Sequence, residues 1–465
     1  MAISSPGIGS NLDINSIVSQ LMQIEQRPLT LLAQKEAGFQ EKISAFGSLR
    51  GAISTLQSAS AGLVPATGTT PTEKFTSYKT TVTDTSIASA SSSSSAVGGI
   101  YSLEVTSLAK AQRLTSGANP SVGSGTRTMT IETGSVAGGV GTSGAFTSTS
   151  SVGITLDSSV TTLTGVRDAI NAANAGVTAT VVTSGTDSYL SLTSNQSGTA
   201  SVMRVTGDVA ALNYDPSTNT GSLIQNAGDE AADAALKING IALTSSGNTI
   251  SDAVEGLTIT LKATGTTTVS VARDTSGLSA GVNALVKAYN DFAKISTDLS
   301  RFDATTKQGG PLIGDSTLRS TQNTFRNLLG KVPSELSGVS LQRLSDIGVT
   351  MQKDGTLAVD SAKLDAAISS DFTGVANLVS AYGGAINTAA EGMVGTDGLI
   401  ETRTDGLNAS IKSITNQSES IQQRLIQTED RYRRQFTALD TLIASMTQTS
   451  NFLTQQLANL PGASN

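Results

Sequence analysis

Two groups of residues have types and spacings that could do chemistry. Gly139, Gly141 and Gly144 fit the pattern G-x-G-x-x-G, whose glycines let a backbone approach a pyrophosphate at the start of a helix. No apolar strand precedes them and no helical repeat follows, so we predict a Gly/Ser/Thr-rich loop there. The second group consists of three carboxylates, Asp229, Glu230 and Asp233. Their oxygens could bind Ca²⁺, but their spacing matches no calcium-binding loop and indicates a solvated acidic run.

The composition excludes most familiar catalytic groups. The chain has no Cys, no His and no Trp, so disulfides, thiolate nucleophiles, Cys or His metal ligands and histidine acid–base chemistry are absent. Carboxylate pairs for glycoside hydrolysis stay open by residue type, but nothing singles out a pair. We therefore predict a protein that is not an enzyme, with no catalytic residue, no cofactor and no metal site.

Charge and hydropathy limit the kinds of partner and the cellular locations that the sequence allows. The 465 residues carry 30 basic and 37 acidic side chains, a net charge of -7, and no basic stripe that would indicate nucleic acid. The basic run Arg431, Arg433 and Arg434 is interpreted as a solvated helix face, with an acidic partner as the alternative. The first residues lack the features of a secretory signal peptide, and no run of about 18 apolar residues predicts membrane insertion. A cytosolic protein, or one exported by another route, is expected.

Both ends of the chain carry helical apolar repeats that must position any functional surface. Near the C-terminus, a helix over about residues 403–459 would be about 85 Å long, which is typical of a coiled coil or bundle. Polar residues at Ser418, Thr428 and Gln435 either set register and partner choice or reflect ordinary drift of bundle packing. The repeat consists of Leu407, Ile411, Ile414, Ile421, Leu425, Tyr432, Leu439, Met446, Leu453 and Leu460.

The N-terminal end predicts two helices. Asp13 is the expected N-cap of the first, Pro28 separates it from the second, and Gly62 is expected as the C′ residue before Pro65. We predict that the central helices share one core with the ends, through Phe46, Ile53, Leu285, Tyr289, Phe325, Leu407, Ile411 and Ile414. Apolar faces reach beyond that core, so we predict that the following residues bind partners during assembly: Ile14, Ile17, Leu21, Ile24, Leu439, Met446, Leu453 and Leu457.

Between the ends, alternating apolar residues predict strands. Asn239-Gly240 predicts a hairpin turn, Tyr78–Val82 is expected to supply a partner strand, and Asp354-Gly355 predicts a second, smaller hairpin among later helices. An inserted unit is expected over about 119–234, with one helix through Leu163 to Ala173 and loops at 91–99 and 134–144.

The predicted fold is α+β and multidomain, with a terminal coiled coil or helical bundle built from both chain ends and nested β-rich head domains between them. The expected domains are a terminal helical plug (1–40 and 435–465), a helical bundle or leg domain (41–70 and 278–434), a β-rich head domain (71–118 and 235–277) and an inserted, variable β-rich head domain (119–234).

Several segments resemble the flagellar hook-associated protein 2 family, the filament cap proteins of bacterial flagella. They are GIGSNLDINSIVSQLMQIEQRPL near the N-terminus, GIYSLEVTSLAKAQ at 99–112, GVNALVKAYNDF at 281–292, IGVTMQKDGTLAVDSAKLDAAI at 347–368 and QFTALDTLIASMTQTSNFLTQQL at 435–457. Small departures, Asn11 and Phe452, affect local contacts, and the inserted unit is the part of the family that varies most.

The resemblance implies a ring homo-oligomer, usually of five copies, at the filament tip, which promotes flagellin insertion and prevents flagellin leakage. It implies flagellin, the hook-filament junction protein and a cytosolic export chaperone at the C-terminal helix as partners. An adhesive head with host surface glycans as ligands is a separate hypothesis that can coexist with the cap role. The resemblance also implies an extracellular, flagellar location reached by type III export without a cleaved signal peptide. The alternatives are a flagellin-like filament subunit and a secreted carbohydrate-binding protein or adhesin.

Overall fold

The computed structural model describes residues 13–305 and 307–458. It contains a helical unit, formed by the described residues up to Phe75 and from Leu278 onward, and a β-rich unit from Thr76 to Gly277. The predicted α+β fold, in which both chain ends join one helical unit around a β-rich insertion, is confirmed.

The elements are given in chain order. The helices are α1 (Ile14–Glu25), α2 (Arg27–Ala61), α3 (Pro71–Phe75), α4 (Leu163–Ala172), α5 (Ser276–Ser300), α6 (Ser316–Gly330), α7 (Ser361–Ser370), α8 (Phe372–Val394) and α9 (Leu399–Ala458). The strands are β1 (Tyr78–Val82), β2 (Ala88–Ser92), β3 (Gly99–Ser107), β4 (Arg113–Ser116), β5 (Arg127–Val136), β6 (Phe146–Leu156), β7 (Val177–Ser184), β8 (Asp187–Ser194), β9 (Val202–Gly207), β10 (Tyr214–Asp215), β11 (Thr220–Gly221), β12 (Leu223–Ile224), β13 (Ala234–Ile238), β14 (Ile241–Ser245), β15 (Thr249–Val254), β16 (Leu257–Leu261), β17 (Gly265–Arg273), β18 (Phe302–Asp303), β19 (Gln308–Gly309), β20 (Val349–Met351) and β21 (Leu357–Val359).

The N-terminal helices begin as their sequence predicts. The Asp13 carboxylate accepts a hydrogen bond from the Ser16 amide at 3.0 Å, which satisfies one of the unpaired N–H groups of the first turn. Pro28 lies in the first turn of α2, where its missing N–H costs nothing. Gly62 caps α2 with φ of -58°, in the right-handed region, so the predicted C′ role is wrong: the chain continues as a turn, and the Gly62 amide donates to the Ser58 carbonyl.

One core joins the central helices to both chain ends. Phe46 and Ile53 of α2 share it with Leu285 and Tyr289 of α5, as predicted. Phe325 and Leu407 belong to the same cluster, whereas Ile414 is buried outside it and Ile411 is only half-buried. The predicted core is therefore confirmed up to Leu407, and α9 turns its later apolar residues toward a different neighbour.

Helices α7 and α8 have no counterpart among the predicted elements. Aspartates cap both helices: Asp360 accepts from the Lys363 amide at 3.0 Å and Asp371 from the Gly374 amide at 2.8 Å. Helix α8 is buried on most sides, because α2, α3, α6, α7 and α9 all contact it. A helix that is apolar nearly all round gives no amphipathic period, which explains why it was missed.

An ion pair anchors the start of α9. Asp315 caps α6 by accepting from the Thr317 amide at 2.8 Å, and the Arg403 guanidinium lies 2.9 Å from the same carboxylate, whose side chain is 3% exposed. Burial acts to raise the pKa of Asp315. The hydrogen bonds from Arg403 and the amides of Leu318 and Thr317 outweigh burial, so the pKa lies below its ordinary value.

The β-rich unit contains two cores. The first lies between the sheet β1-β17-β3-β13-β14 and the sheet β15-β16-β2. The predicted pairing of Tyr78–Val82 is confirmed, since Tyr78 pairs with Arg273 on β17. Asn239 and Gly240 have φ of 52° and 83°, the left-handed values that a two-residue hairpin turn requires, so this hairpin is confirmed. The Asp354-Gly355 hairpin of the helical unit is confirmed by the pairing of β20 with β21.

The second core lies between the sheets β11-β10-β9-β5-β6 and β12-β4-β8-β7, with α4 packed on it at the predicted residues. Strand β4 pairs with β8, and Leu114 belongs to this core, so the inserted unit takes in residues before 119. The loop predicted at 134–144 is partly wrong, because Gly134, Ser135 and Val136 extend β5 in register with β6.

Candidate assembly surface

Helix α1 is held on α9 by a small apolar cluster. Its buried residues are Ile14, Val18 and Met22 of α1 and Leu425 of α9. Half-buried neighbours complete the cluster: Leu29, Ile421, Tyr432 and Phe436. Helix α1 therefore covers the stretch of α9 from Ile421 to Phe436.

Polar contacts at the rim of this cluster are exposed. Arg433 donates to Asn15 Oδ1 at 3.0 Å and forms an ion pair with Glu429 at 2.8 Å, and the Tyr432 hydroxyl donates to Glu25 at 3.3 Å. Exposed pairs of this kind contribute about 0–1 kcal/mol each. They orient α1 more than they hold it, and they agree with a solvated face for the predicted basic run.

Beyond Phe436, α9 carries an apolar stripe that is uncovered in the described part of the chain. Asp440 is the only charged residue between Phe436 and Ala458. At 3.6 residues per turn, five large side chains project to one side within about 60°, over a length of about 27 Å. These residues, called here the distal stripe, and their exposed fractions are Leu439 (42%), Leu442 (52%), Met446 (63%), Leu453 (54%) and Leu457 (61%).

The structure distributes the eight predicted assembly residues among three environments. Leu439, Met446, Leu453 and Leu457 are exposed on the distal stripe, and Ile24 is 58% exposed on α1. Ile17 and Leu21 are half-buried. Ile14 is 3% exposed and packs against α9 within the same chain, so it is not available to a partner in this arrangement. Leu460 of the predicted repeat lies outside the described residues.

Several exposed apolar residues were not predicted, among them Leu442 and Leu31. Leu442 lies three residues after Leu439 on the same side of α9, and Leu31 is 59% exposed on α2. The signal for Leu442 was its three-residue step from Leu439, which a search by seven-residue steps passes over. Leu31 has no such signal, because single exposed apolar residues are common on protein surfaces.

The chemical candidates do not form a site. Asp229 faces Arg113 at 3.6 Å, Glu230 accepts from the Gly228 amide at 2.8 Å, and Asp233 accepts from the Thr199 amide at 2.7 Å. Across residues 13–305 and 307–458, no group of three or more potential metal ligands comes together. The three carboxylates therefore serve separate local contacts.

The glycine motif forms a turn. Gly139 and Gly141 have φ of 100° and 79°, values that favour glycine, and the chain continues into strand β6 and not into a helix. The predicted loop is thus confirmed for these residues.

Among the described residues, no helix is long and apolar enough to cross a membrane.

Comparisons with known proteins match both ends of the chain to one family. Residues 10–112 match the family model described as flagellar hook-associated protein 2 N-terminus, and residues 231–448 match the model described as flagellar hook-associated protein 2 C-terminus. The residues between the two matches, 113–230, correspond closely to the second core of the β-rich unit.

Individual relatives match over nearly their whole length. The chain is 34% identical to flagellar hook-associated protein 2 of Escherichia coli K12, over 98% of each chain. It is 31% identical to the A-type flagellar hook-associated protein 2 of Pseudomonas aeruginosa, over 98% of this chain and 97% of that one. A crystal structure of domains D1, D2 and D3 of the flagellar cap protein FliD from Escherichia coli covers 78% of this chain and 99% of its own, with a TM-score of 0.60 and 31% identity.

Proposed function

Because this chain belongs to the flagellar hook-associated protein 2 family, we propose that it caps the distal end of the flagellar filament as a structural protein. The observation that carries this proposal is the distal stripe, an apolar face at the end of a 60-residue helix. Burying one large aliphatic side chain is worth about 1.5–3 kcal/mol, so five exposed ones favour assembly with another apolar surface.

We propose that copies of the chain supply that surface in a ring, of five subunits as is usual in the family. In such a ring the residues up to 40 and after 435 serve as the terminal plug. The remainder of the helical unit serves as the leg domain, and the two β-rich cores serve as head domains. A long helix with a one-sided apolar stripe has little stability alone, and contact with neighbouring helices would order it.

The proposed partners follow from this role. Flagellin would be guided into place beneath the ring, and the hook-filament junction protein would receive the cap before filament growth begins. Before export, an export chaperone in the cytosol would shield the distal stripe, because an exposed apolar face promotes aggregation. The protein would then act outside the cell, at the filament tip, after type III export.

Two substitutions on the distal stripe test the proposal. Leu453→Asp together with Leu457→Asp places two charges at its C-terminal end, so we expect the ring and tip retention to be lost and flagellin to leak into the medium. Electron microscopy of the purified protein and of filament tips, with flagellin measured in the culture supernatant, gives the readout. Circular dichroism should show that the rest of the chain stays folded.

A matched control uses the other side of the same helix turns. Asn451→Asp with Gln455→Asp introduces the same charges at the same four-residue spacing on exposed polar positions. Rings and filaments should be normal in this control. Normal tip occupancy in the stripe variant would show that the stripe is not the assembly surface. Long filaments formed by the pure wild-type protein would instead favour the flagellin-like alternative.

A further inference from the structure

Methionine is the side chain of this protein that is most open to mild oxidation. The chain has seven Met residues and no Cys, whose thiolate would otherwise compete for an oxidant. A peroxide converts the thioether of Met to a sulfoxide, and access of the oxidant to the sulfur decides which residue reacts. The exposure of each methionine therefore indicates where a peroxide acts on the folded chain.

Over residues 13–305 and 307–458, the methionines fall into an exposed and a buried group. Met446 on α9 is 63% exposed, and Met351 on β20 is 44% exposed. The others are at most 7% exposed and belong to the apolar clusters of the cores and of α1: Met22, Met129, Met203 and Met393. Met446 is therefore the most exposed of these six residues.

Met446 lies in the middle of the distal stripe. Along the axis of α9 it is about 10 Å from Leu439 and about 17 Å from Leu457, at 1.5 Å per residue. Around the axis, Leu442 and Leu453 project within about 40° of it, at 3.6 residues per turn. A change of polarity at this position therefore falls at the centre of the apolar surface.

Oxidation by hydrogen peroxide makes that centre polar. The sulfur bonds to one peroxide oxygen as the O–O bond breaks, and the other oxygen leaves with both protons as water. The sulfur is thereby oxidised by two electrons, and the peroxide is reduced. The sulfoxide carries an oxygen that accepts hydrogen bonds, and burying such an acceptor against an apolar surface without a donor is unfavourable.

We propose that Met446 is an oxidation site whose sulfoxide prevents the distal stripe from joining a ring. The inference rests on the proposed function, since it concerns the surface through which copies of the chain assemble. The same contact protects the sulfur, because a stripe covered by neighbouring copies leaves peroxide no path to it. Free subunits are therefore sensitive to peroxide, and assembled rings are resistant.

The order in which peroxide is added tests this on the full chain. Hydrogen peroxide is added either to the dilute monomer or to preformed rings, and is then removed with catalase. Peptide mass spectrometry measures oxygen added at each methionine, and electron microscopy with sedimentation velocity measures rings. In the monomer, Met446 should be oxidised first, and the protein concentration at half-assembly should rise about tenfold or more. In preformed rings, Met446 should be oxidised more slowly than in the monomer, and the rings should persist.

Substitutions separate Met446 from the other methionines. Met446→Leu keeps an apolar side chain of similar size without the sulfur, so its rings should form normally after peroxide treatment. Met351→Leu is the matched control: it removes the other exposed methionine, and its assembly should stay as sensitive as that of the wild type. Met446→Gln places a polar group on the stripe and should assemble poorly without peroxide. Thr447→Gln places the same group on an exposed position beside the stripe and should assemble normally.

Enzymatic repair gives a readout that depends on no substitution. Methionine sulfoxide reductases A and B, with dithiothreitol as the reductant, return both sulfoxide epimers to methionine. Dithiothreitol has no disulfide to reduce in this chain, because the chain has no Cys. Ring formation by the repaired protein should return to the untreated level. If Met446→Leu assembles poorly without treatment, repair decides.

The outcomes separate this inference from the proposed function. Rings lost on oxidation, kept in Met446→Leu and regained after repair support the inference. Normal ring formation by protein in which Met446 is fully oxidised overturns it, as does equal peroxide sensitivity of Met446→Leu and the wild type. In both cases the proposed function stands. Untreated wild-type protein that forms no rings overturns the proposed function, and this inference with it.

Discussion

The two halves of α9 carry the same kind of apolar repeat but meet different surroundings. In the first half, Leu407, Ile414 and Leu425 are 4–8% exposed. In the second half, the distal stripe is 42–63% exposed. The repeat decides which side of the helix is apolar, whereas the rest of the chain decides whether that side is covered. Comparing the halves therefore separates residues that stabilise the monomer from residues that are free to bind a partner.

Among the described residues, the cover of α9 ends at Phe436. Helices α2, α6 and α8 contact its first part, and α1 extends the cover to Phe436. Helix α1 is only 12 residues long, about 18 Å, so from this position it cannot also cover the roughly six turns of α9 that follow Phe436. The short N-terminal helix thus sets where the distal stripe begins.

The largest expected difference between the halves is in monomer stability. Leu407→Ala removes a side chain from the main core and should cost about 2–5 kcal/mol, because a cavity is left among well-packed neighbours. Leu453→Ala removes a side chain that is 54% exposed and should change the free energy of unfolding by less than about 0.5 kcal/mol. Urea unfolding of the dilute monomer measures both.

The order of the two effects should be the opposite in an assembly assay. Leu453→Ala should weaken ring formation while Leu407→Ala, at a temperature where it is folded, should not. Equal unfolding free energies for the two variants would contradict the assignment of the halves. Ile411→Ala should fall between them, since Ile411 is half-buried.

A second prediction concerns the ion pair at the start of the covered half. Asp315→Asn keeps an N-cap side chain, since Asn caps nearly as well as Asp, but removes the charge that faces Arg403. The free energy of unfolding should fall by about 1–2 kcal/mol near pH 7. The lower figure applies because Arg403 is partly exposed. Chemical unfolding of the two proteins gives this difference, and Asp291→Asn, at an exposed helical ion pair, serves as the control.

The pH dependence of that difference has a defined sign. The folded-state pKa of Asp315 lies below its ordinary value, so its contribution is fully present above the unfolded-state pKa of about 3.9. It is lost as the pH falls through the lower, folded-state pKa. The stability gap between wild type and Asp315→Asn should therefore close in acid. A gap that widened toward low pH would refute the role given to Asp315.

Local sequence signals predicted the elements that depend on local geometry. Asp13 capped α1, and Asn239-Gly240 and Asp354-Gly355 formed hairpin turns, because these residues act through backbone conformation and bonds to near neighbours. The helical repeat likewise predicted α9 to within a few residues. Elements that depend on distant contacts were harder: β4 joined the inserted core through β8, which no local pattern around Leu114 could indicate.

Burial along the repeat was predicted less well than the helix itself. A straight α-helix has 3.6 residues per turn, so positions seven apart drift around its axis by about 20° per heptad. Thr428 is 9% exposed although polar, whereas Gln435, seven residues later, is exposed. For the candidate site, the sequence predicted four of the five distal-stripe residues, but it could not show that α9 would bury Ile14 of α1.

A third prediction concerns the boundary that α1 sets between the halves. Val18 is 1% exposed in a cluster of only four buried residues, so Val18→Ala should cost about 1 kcal/mol locally and release α1 from α9. Amide hydrogen exchange of the dilute monomer should then speed up in α1 and in α9 from Ile421 to Phe436. Global unfolding should change little, because the main core does not include Val18.

Exchange in the wild type gives the reference for that experiment. Residues before about 40 and after about 435 should exchange faster than the main core in the monomer, by less than in Val18→Ala for α1, and slowly in the assembled ring, because the partner supplies the missing cover. Full protection of both ends in a dilute monomer would contradict this.

The smallest expected effect lies at the junction itself, at Gln435. Gln435→Leu makes the predicted seam fully apolar at this step, but Gln435 is exposed and lies beside the half-buried Phe436, on a side of α9 that α1 does not bury. We therefore expect the free energy of unfolding of the monomer to change by less than about 0.5 kcal/mol, within the usual range for surface substitutions. Thr428→Val is the matched comparison, because Thr428 lies seven residues before Gln435 and is buried. This substitution should change the free energy of unfolding measurably, and the sign of the change depends on whether the Thr428 hydroxyl makes a hydrogen bond. If Gln435→Leu instead stabilised the monomer by more than about 1 kcal/mol, the side chain at 435 would be finding apolar cover within the chain. The exposed half of α9 would then begin later than Phe436, and the distal stripe would be shorter than the structure indicates.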